Sequence, residues 1–125
     1  MATALKGYQQ YKQQSVSTMT QGELLMMLYD ELVKRLTQAE LALDKAEYEP
    51  FEAAVQRSID IVTHLSDTLD RQYGISRELD RLYEYMTYEL GRVKLGRHKE
   101  PLTHVKTMAD DLRQAFRQAQ KQADR

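Results

Sequence analysis

Apolar residues recur along this chain at spacings of three and four, in four blocks separated by short polar breaks. Spacing of that kind marks amphipathic helices. The first block sets Leu24, Leu28, Leu32, Leu36, Ala39 and Leu43 on one face, flanked by Leu25, Tyr29 and Val33, and predicts a helix from about Thr20 to about Glu47. Thr20 followed by Glu23 reads as a capping box, in which hydroxyl and carboxylate satisfy backbone N–H groups reciprocally, and Met19 with Leu24 completes it as a hydrophobic staple. The unbroken apolar run from Leu24 to Tyr29 is wider than one helical stripe. Something besides a single core should therefore cover this helix.

Pro50 suits the first position of a second helix, whose inward stripe is Phe51, Val55, Ile59, Val62, Leu65 and Leu69. Gly74 is expected to end it in a left-handed conformation, with Ile75 folding back onto Leu69. Ser76 then caps a third helix facing inward through Leu79, Leu82, Tyr83, Met86, Leu90 and Val93, with Gly96 as its stop. The fourth begins near Pro101 and turns Leu102, Val105, Met108, Leu112, Ala115, Phe116 and Ala119 inward. Short connections force successive helices to run antiparallel, so the expected fold is all-α: an antiparallel up-and-down four-helix bundle. Residues 1–18, rich in Gln, Ser, Thr and Lys, read as a mobile N-terminal arm with the apolar anchors Leu5, Tyr8, Tyr11 and Val16. Residues 19–125 form the bundle domain.

Composition narrows the function classes. The 125 residues include five glycines, two prolines and no cysteine, which excludes disulfides and thiol chemistry and favours helix throughout. No apolar stretch approaches the roughly 18 residues of a membrane span, so no membrane insertion is expected and the chain reads as cytoplasmic. Net charge is −1. Residues 1–76 hold seven basic and eleven acidic residues and 77–125 hold eleven and eight, for net charges of −4 and +3. That mild asymmetry supplies no field for nucleic acid. The basic stretch Arg92 to Lys99 sits where cations complement a helix C-terminus.

Catalytic and metal chemistry finds little footing. Di-metal bundles use paired Glu-x-x-His motifs, and this sequence has none. Asp60, His64 and Asp67 share one side of the second helix, but three groups from one helix without a partner across the bundle read as a solvated face. His98 and His104 lack an acid–base partner in register. No metal or cofactor is expected. What remains is a surplus of adaptable apolar side chains: Met26, Met27, Met86 and Met108, with Tyr83, Tyr85 and Tyr88 crowded on the third helix. Helical steps separate Tyr83 from Tyr85 by about 200°, so some of these tyrosines must look outward. Tyrosine and methionine suit a surface that grips an apolar helix of another protein.

Tyr8-x-x-Tyr11-Lys12, Val16-Ser17-Thr18-Met19-Thr20, the run Glu23 to Asp30, and Leu79-Asp80-x-Leu82-Tyr83-Glu84-Tyr85-Met86 together resemble the flagellar secretion chaperone family FliS. The likeness covers nearly the whole chain. Two positions depart from the family pattern: Tyr73-Gly74 stands where a glycine pair is usual, and Phe116 where tryptophan is common. The resemblance implies a non-enzymatic chaperone that binds the disordered C-terminal segment of flagellin, prevents premature polymerisation and aids delivery to the flagellar type III export apparatus. It also implies that the arm, through Tyr8 and Tyr11, covers the client groove when client is absent. Tyr8, Tyr11, Met26, Tyr29, Tyr83, Tyr85 and Met86 are the expected client-binding residues. A self-associating structural or regulatory four-helix protein without an export client is the alternative, and a one-to-one complex with a flagellin tail separates the two.

Overall fold

The computed structural model describes residues 20–123, and the chain enters it through the expected cap. Thr20 is extended, with φ −68° and ψ 163°. Its hydroxyl accepts the Glu23 N–H at 3.1 Å, which satisfies one of the donors that a helix start leaves free. Thr20→Ala is expected to lower stability by about 0.5–2 kcal/mol. A urea melt checks this, and an unmoved midpoint would show that the cap contributes nothing. Met19, the arm at 1–18 and its anchors lie outside the described residues.

Four helices follow: α1 (Gln21–Asp44), α2 (Tyr48–Asp67), α3 (Ile75–Gly96) and α4 (Lys99–Ala123). α1 packs on α2 and α4, and α3 packs on the same two, closing an up-and-down ring in which the α3–α4 contact is the sparsest. The shared core is aliphatic and aromatic, with Leu32, Leu36, Phe51, Val55, Val62, Leu90, Val93 and Leu102 fully buried. Polar ties run along the α1–α4 seam. Asp30 accepts from Arg117 at 2.8 Å and Arg113 at 3.2 Å, Glu40 from Lys106 at 2.8 Å, and Asp44 from Lys99 at 2.6 Å. Among the described residues no helix is long and apolar enough to cross a membrane.

Several boundaries differ from the sequence expectation, each for a local reason. α1 stops at Asp44 rather than near Glu47. The Ala46 N–H bonds the Leu43 carbonyl at 3.0 Å and the Glu47 N–H bonds that of Ala42 at 2.9 Å, while Ala46 takes φ 56°. This is the Schellman closure, built with alanine where glycine would have advertised it. α2 starts at Tyr48, which makes Pro50 its third residue. That position still needs no intrahelical N–H partner, so proline is tolerated.

Gly74 does not end α2. The helix stops at Asp67, and Gly74, at φ −60°, is the N-cap of α3. Ser76, expected as that cap, lies in the first turn of α3, where its hydroxyl donates to the Asp70 carbonyl and ties the connecting loop to the helix. α3 does end at Gly96, but the left-handed residue is Arg97, whose N–H bonds the Val93 carbonyl at 2.8 Å. Its guanidinium lies 3.8 Å from the centre of the Tyr48 ring. On α4 the inward stripe fades toward the C-terminal end. Leu102, Val105 and Ala109 are buried, Met108, Leu112 and Phe116 half-buried, and Ala115 and Ala119 exposed. The bundle is least tightly closed at that end.

Candidate functional site

The N-terminal turns of α1, the C-terminal turn of α2, the start of α3 and the last turns of α4 meet at one end of the bundle. An apolar cavity of about 230 Å³ opens among them. Leu24, Leu25 and Leu28 supply one wall, Leu65 and Leu69 the second, Ile75, Leu79 and Tyr83 the third, and Phe116 the fourth. Leu24, Leu25 and Leu28 are only half-buried, which is where the surplus of the Leu24–Tyr29 run goes. Tyr73 and Ile75 stand at the rim, 65% and 57% exposed. Ile75 therefore shares the cavity with Leu69 and remains open to solvent instead of closing over it. The chain enters α1 beside this opening, through Gln21 and Gly22 of the lining.

Beneath the cavity the walls are stiffened by aromatics. Tyr29 stacks on Phe116 with ring centroids 5.4 Å apart and planes 21° from parallel. The Tyr29 and Tyr83 hydroxyls hydrogen-bond to each other. Both are buried, and no buried side-chain nitrogen or oxygen among the described residues lacks a partner. Burial pushes the Tyr29 phenol well above the ordinary tyrosine range, reinforced by the Tyr83 hydroxyl beside it. Burial likewise raises Tyr83. Both phenols therefore remain neutral, and neither is poised as a base or nucleophile.

The expected client-binding residues fall in different places. Tyr29, Tyr83 and Met86 are core residues with almost no exposed surface, while Tyr85 and Tyr88 stay exposed, so the tyrosines of α3 divide between core and surface. The period of α3 explains it: Tyr83 and Met86 are three apart and share the inward face, whereas Tyr85 points away. Tyr83 nevertheless reaches the cavity wall. Tyr85 is 42% exposed and meets His104 of α4 edge-on, centroids 6.2 Å apart. Met26 is half-buried in a shallow groove with Met27, Lys34 and Gln120 on the α1–α4 side. Tyr8 and Tyr11 lie outside the described residues. Sequence reasoning missed Leu69, Tyr73, Ile75 and Phe116 as a group. Their signal was weak, because each reads as an ordinary stripe or loop residue and only the shared bundle end unites them. Tyr73 and Phe116 are also the positions at which the chain departs from the pattern that it resembles.

Comparison with known proteins agrees with this architecture. A family model described as flagellar protein FliS matches residues 4–123. The flagellar secretion chaperone FliS of Bacillus subtilis is 30% identical over 112 residues, which cover 90% of this chain and 84% of the relative. The flagellar secretion chaperone FliS of Salmonella typhimurium is 26% identical over 121 residues, 94% of this chain and 90% of the relative. A solved structure titled as a flagellar chaperone from bacteria has the same fold, with a TM-score of 0.77 over 95% of this chain and 98% of that one, at 16% identity.

Proposed function

Since the chain belongs to the flagellar protein FliS family, we propose that it is a flagellar export chaperone whose client is the C-terminal segment of flagellin, held in the cytoplasm before delivery to the export apparatus. The observation that carries the reading is the open apolar cavity walled by Leu25, Leu28, Leu69, Ile75 and Phe116. A client segment that is disordered when free and apolar along one side needs such a surface, because its own apolar side chains otherwise favour self-association. The client's apolar residues enter the cavity, and Tyr85, exposed beside His104, is a further anchor on the α3–α4 side. Ordering the segment costs about 2–5 kcal/mol, so the contact has to extend beyond one pocket. The work is recognition and shielding, with no reaction for the neutral, buried phenols to perform.

Residues 1–18 complete the reading as a displaceable latch. The described chain enters α1 beside the cavity mouth, at the Gln21 and Gly22 edge. A latch closed about 90% of the time lowers apparent client affinity roughly tenfold, or about 1.4 kcal/mol.

Calorimetry with a synthetic peptide from the C-terminus of the host's flagellin tests both parts. The full chain is expected to bind one peptide with a negative heat-capacity change, the mark of apolar burial. Deletion of residues 1–18 is expected to tighten binding. Absence of binding would overturn the flagellin reading, and equal or weaker binding by a folded truncation would overturn the latch.

A further inference from the structure

α1 turns Leu32, Leu36 and Ala39 into the bundle. At about 100° per residue, positions 27, 31, 34, 38, 41 and 45 fall on the opposite side of the helix, in alternating steps of four and three. None of the six is buried. That alternation is the seam spacing of a coiled coil. Met27 and Leu41, 38% and 55% exposed, hold its apolar positions and lie seven residues to either side of Lys34. Charge divides at the same point. Glu23 precedes Lys34 on this face and Lys45 closes it, while the neighbouring Asp30 and Glu31 are paired within the chain, with Arg113 and Arg117 and with Arg35. Among the described residues Lys34 and Lys45 make no ion pair, while most other cations of the bundle do.

We propose that this face is an interface between two copies of the chain, with their α1 helices antiparallel about a two-fold axis beside Lys34. Antiparallel packing sets Met27 against Leu41 of the second copy and Glu23 against its Lys45. Each contact occurs twice, as a closed two-fold interface requires. Parallel packing would instead oppose acid to acid and lysine to lysine. At the axis Glu31 already pairs with Arg35 of its own chain at 2.7 Å, so the two exposed Lys34 ammonium groups stay apart in water on their flexible stems. With two apolar positions per chain the contact belongs to the weak, transient class. Leu25 and Leu28, which line the cavity, lie on the other side of α1. The paired state therefore leaves the cavity open, and its failure is separable from failure of client binding.

The absence of cysteine makes one introduced thiol a unique probe. In the full-length chain under mild oxidation, Lys34→Cys is expected to form a covalent dimer roughly tenfold or more faster than Thr63→Cys, because the axis holds its two thiols at raised effective concentration. Thr63 is an exposed α2 position that serves as the control. Met27→Cys and Leu41→Cys should cross-link with each other in a mixture faster than either does alone. Adding Leu41→Glu to Lys34→Cys should return the rate to that of the control. Equal rates for Lys34→Cys and Thr63→Cys, or a fast rate that survives Leu41→Glu, would overturn the interface. Circular dichroism of each variant separates a lost contact from a lost fold.

Discussion

Tyr83→Ala is expected to cost the bundle about 3–5 kcal/mol, the range for emptying a large aromatic site in a core. Set against a total stability of about 5–15 kcal/mol, that loss brings the domain to the edge of folding. The milder Tyr→Phe series isolates the polar part. Tyr29 and Tyr83 satisfy each other's hydroxyls inside the bundle, so replacing either one alone leaves a buried hydroxyl without a partner, at about 1–3 kcal/mol. Replacing both removes donor and acceptor together and should restore most of the loss. Urea melts of the four proteins form a double-mutant cycle, in which the double variant is expected to lose far less than the sum of the two single losses. Strictly additive losses would mean that the pair does not hydrogen-bond in solution.

Ile75→Glu is expected to weaken binding of the flagellin peptide by about 1–3 kcal/mol while leaving the melt nearly unchanged. Ile75 stands at the cavity rim with more than half its surface exposed, so its replacement removes little from the folded core. In a client complex the same position would be covered, and a carboxylate there would lose its water without gaining a cation. Calorimetry on the folded variant reads the effect directly. Unchanged affinity would remove the cavity mouth from the client site and leave the family relationship standing.

Helix identity was legible from the sequence because it rests on short-range periodicity. Stripes such as Leu32, Leu36 and Ala39 on α1, or Val55, Val62 and Leu65 on α2, state which face must leave water, and the short breaks state that neighbours run antiparallel. The Thr20 cap was legible for the same reason: donor and acceptor are three residues apart. The excess width of the Leu24–Tyr29 run signalled that one core would not cover it, and those leucines do line the cavity.

Helix ends and the assignment of tyrosines to inside or outside were decided by tertiary structure. Ala46 and Arg97 close their helices in left-handed conformations that glycine alone would have announced, because the closing hydrogen bonds and neighbouring packing select the conformation there. Tyr83 and Tyr85 differ by a rotation that the sequence does state. Which of the two faces inward depends on where α2 and α4 stand around α3, and Tyr29 then supplies the hydroxyl that lets Tyr83 be buried. The cavity is the clearest case. Leu25, Leu69, Ile75 and Phe116 come from three helices and the α2–α3 connection and are separated by up to ninety-one residues of chain. Each helix records how much apolar surface must be covered, but the void exists only where four helix ends meet at one place, and that meeting is a property of their packing.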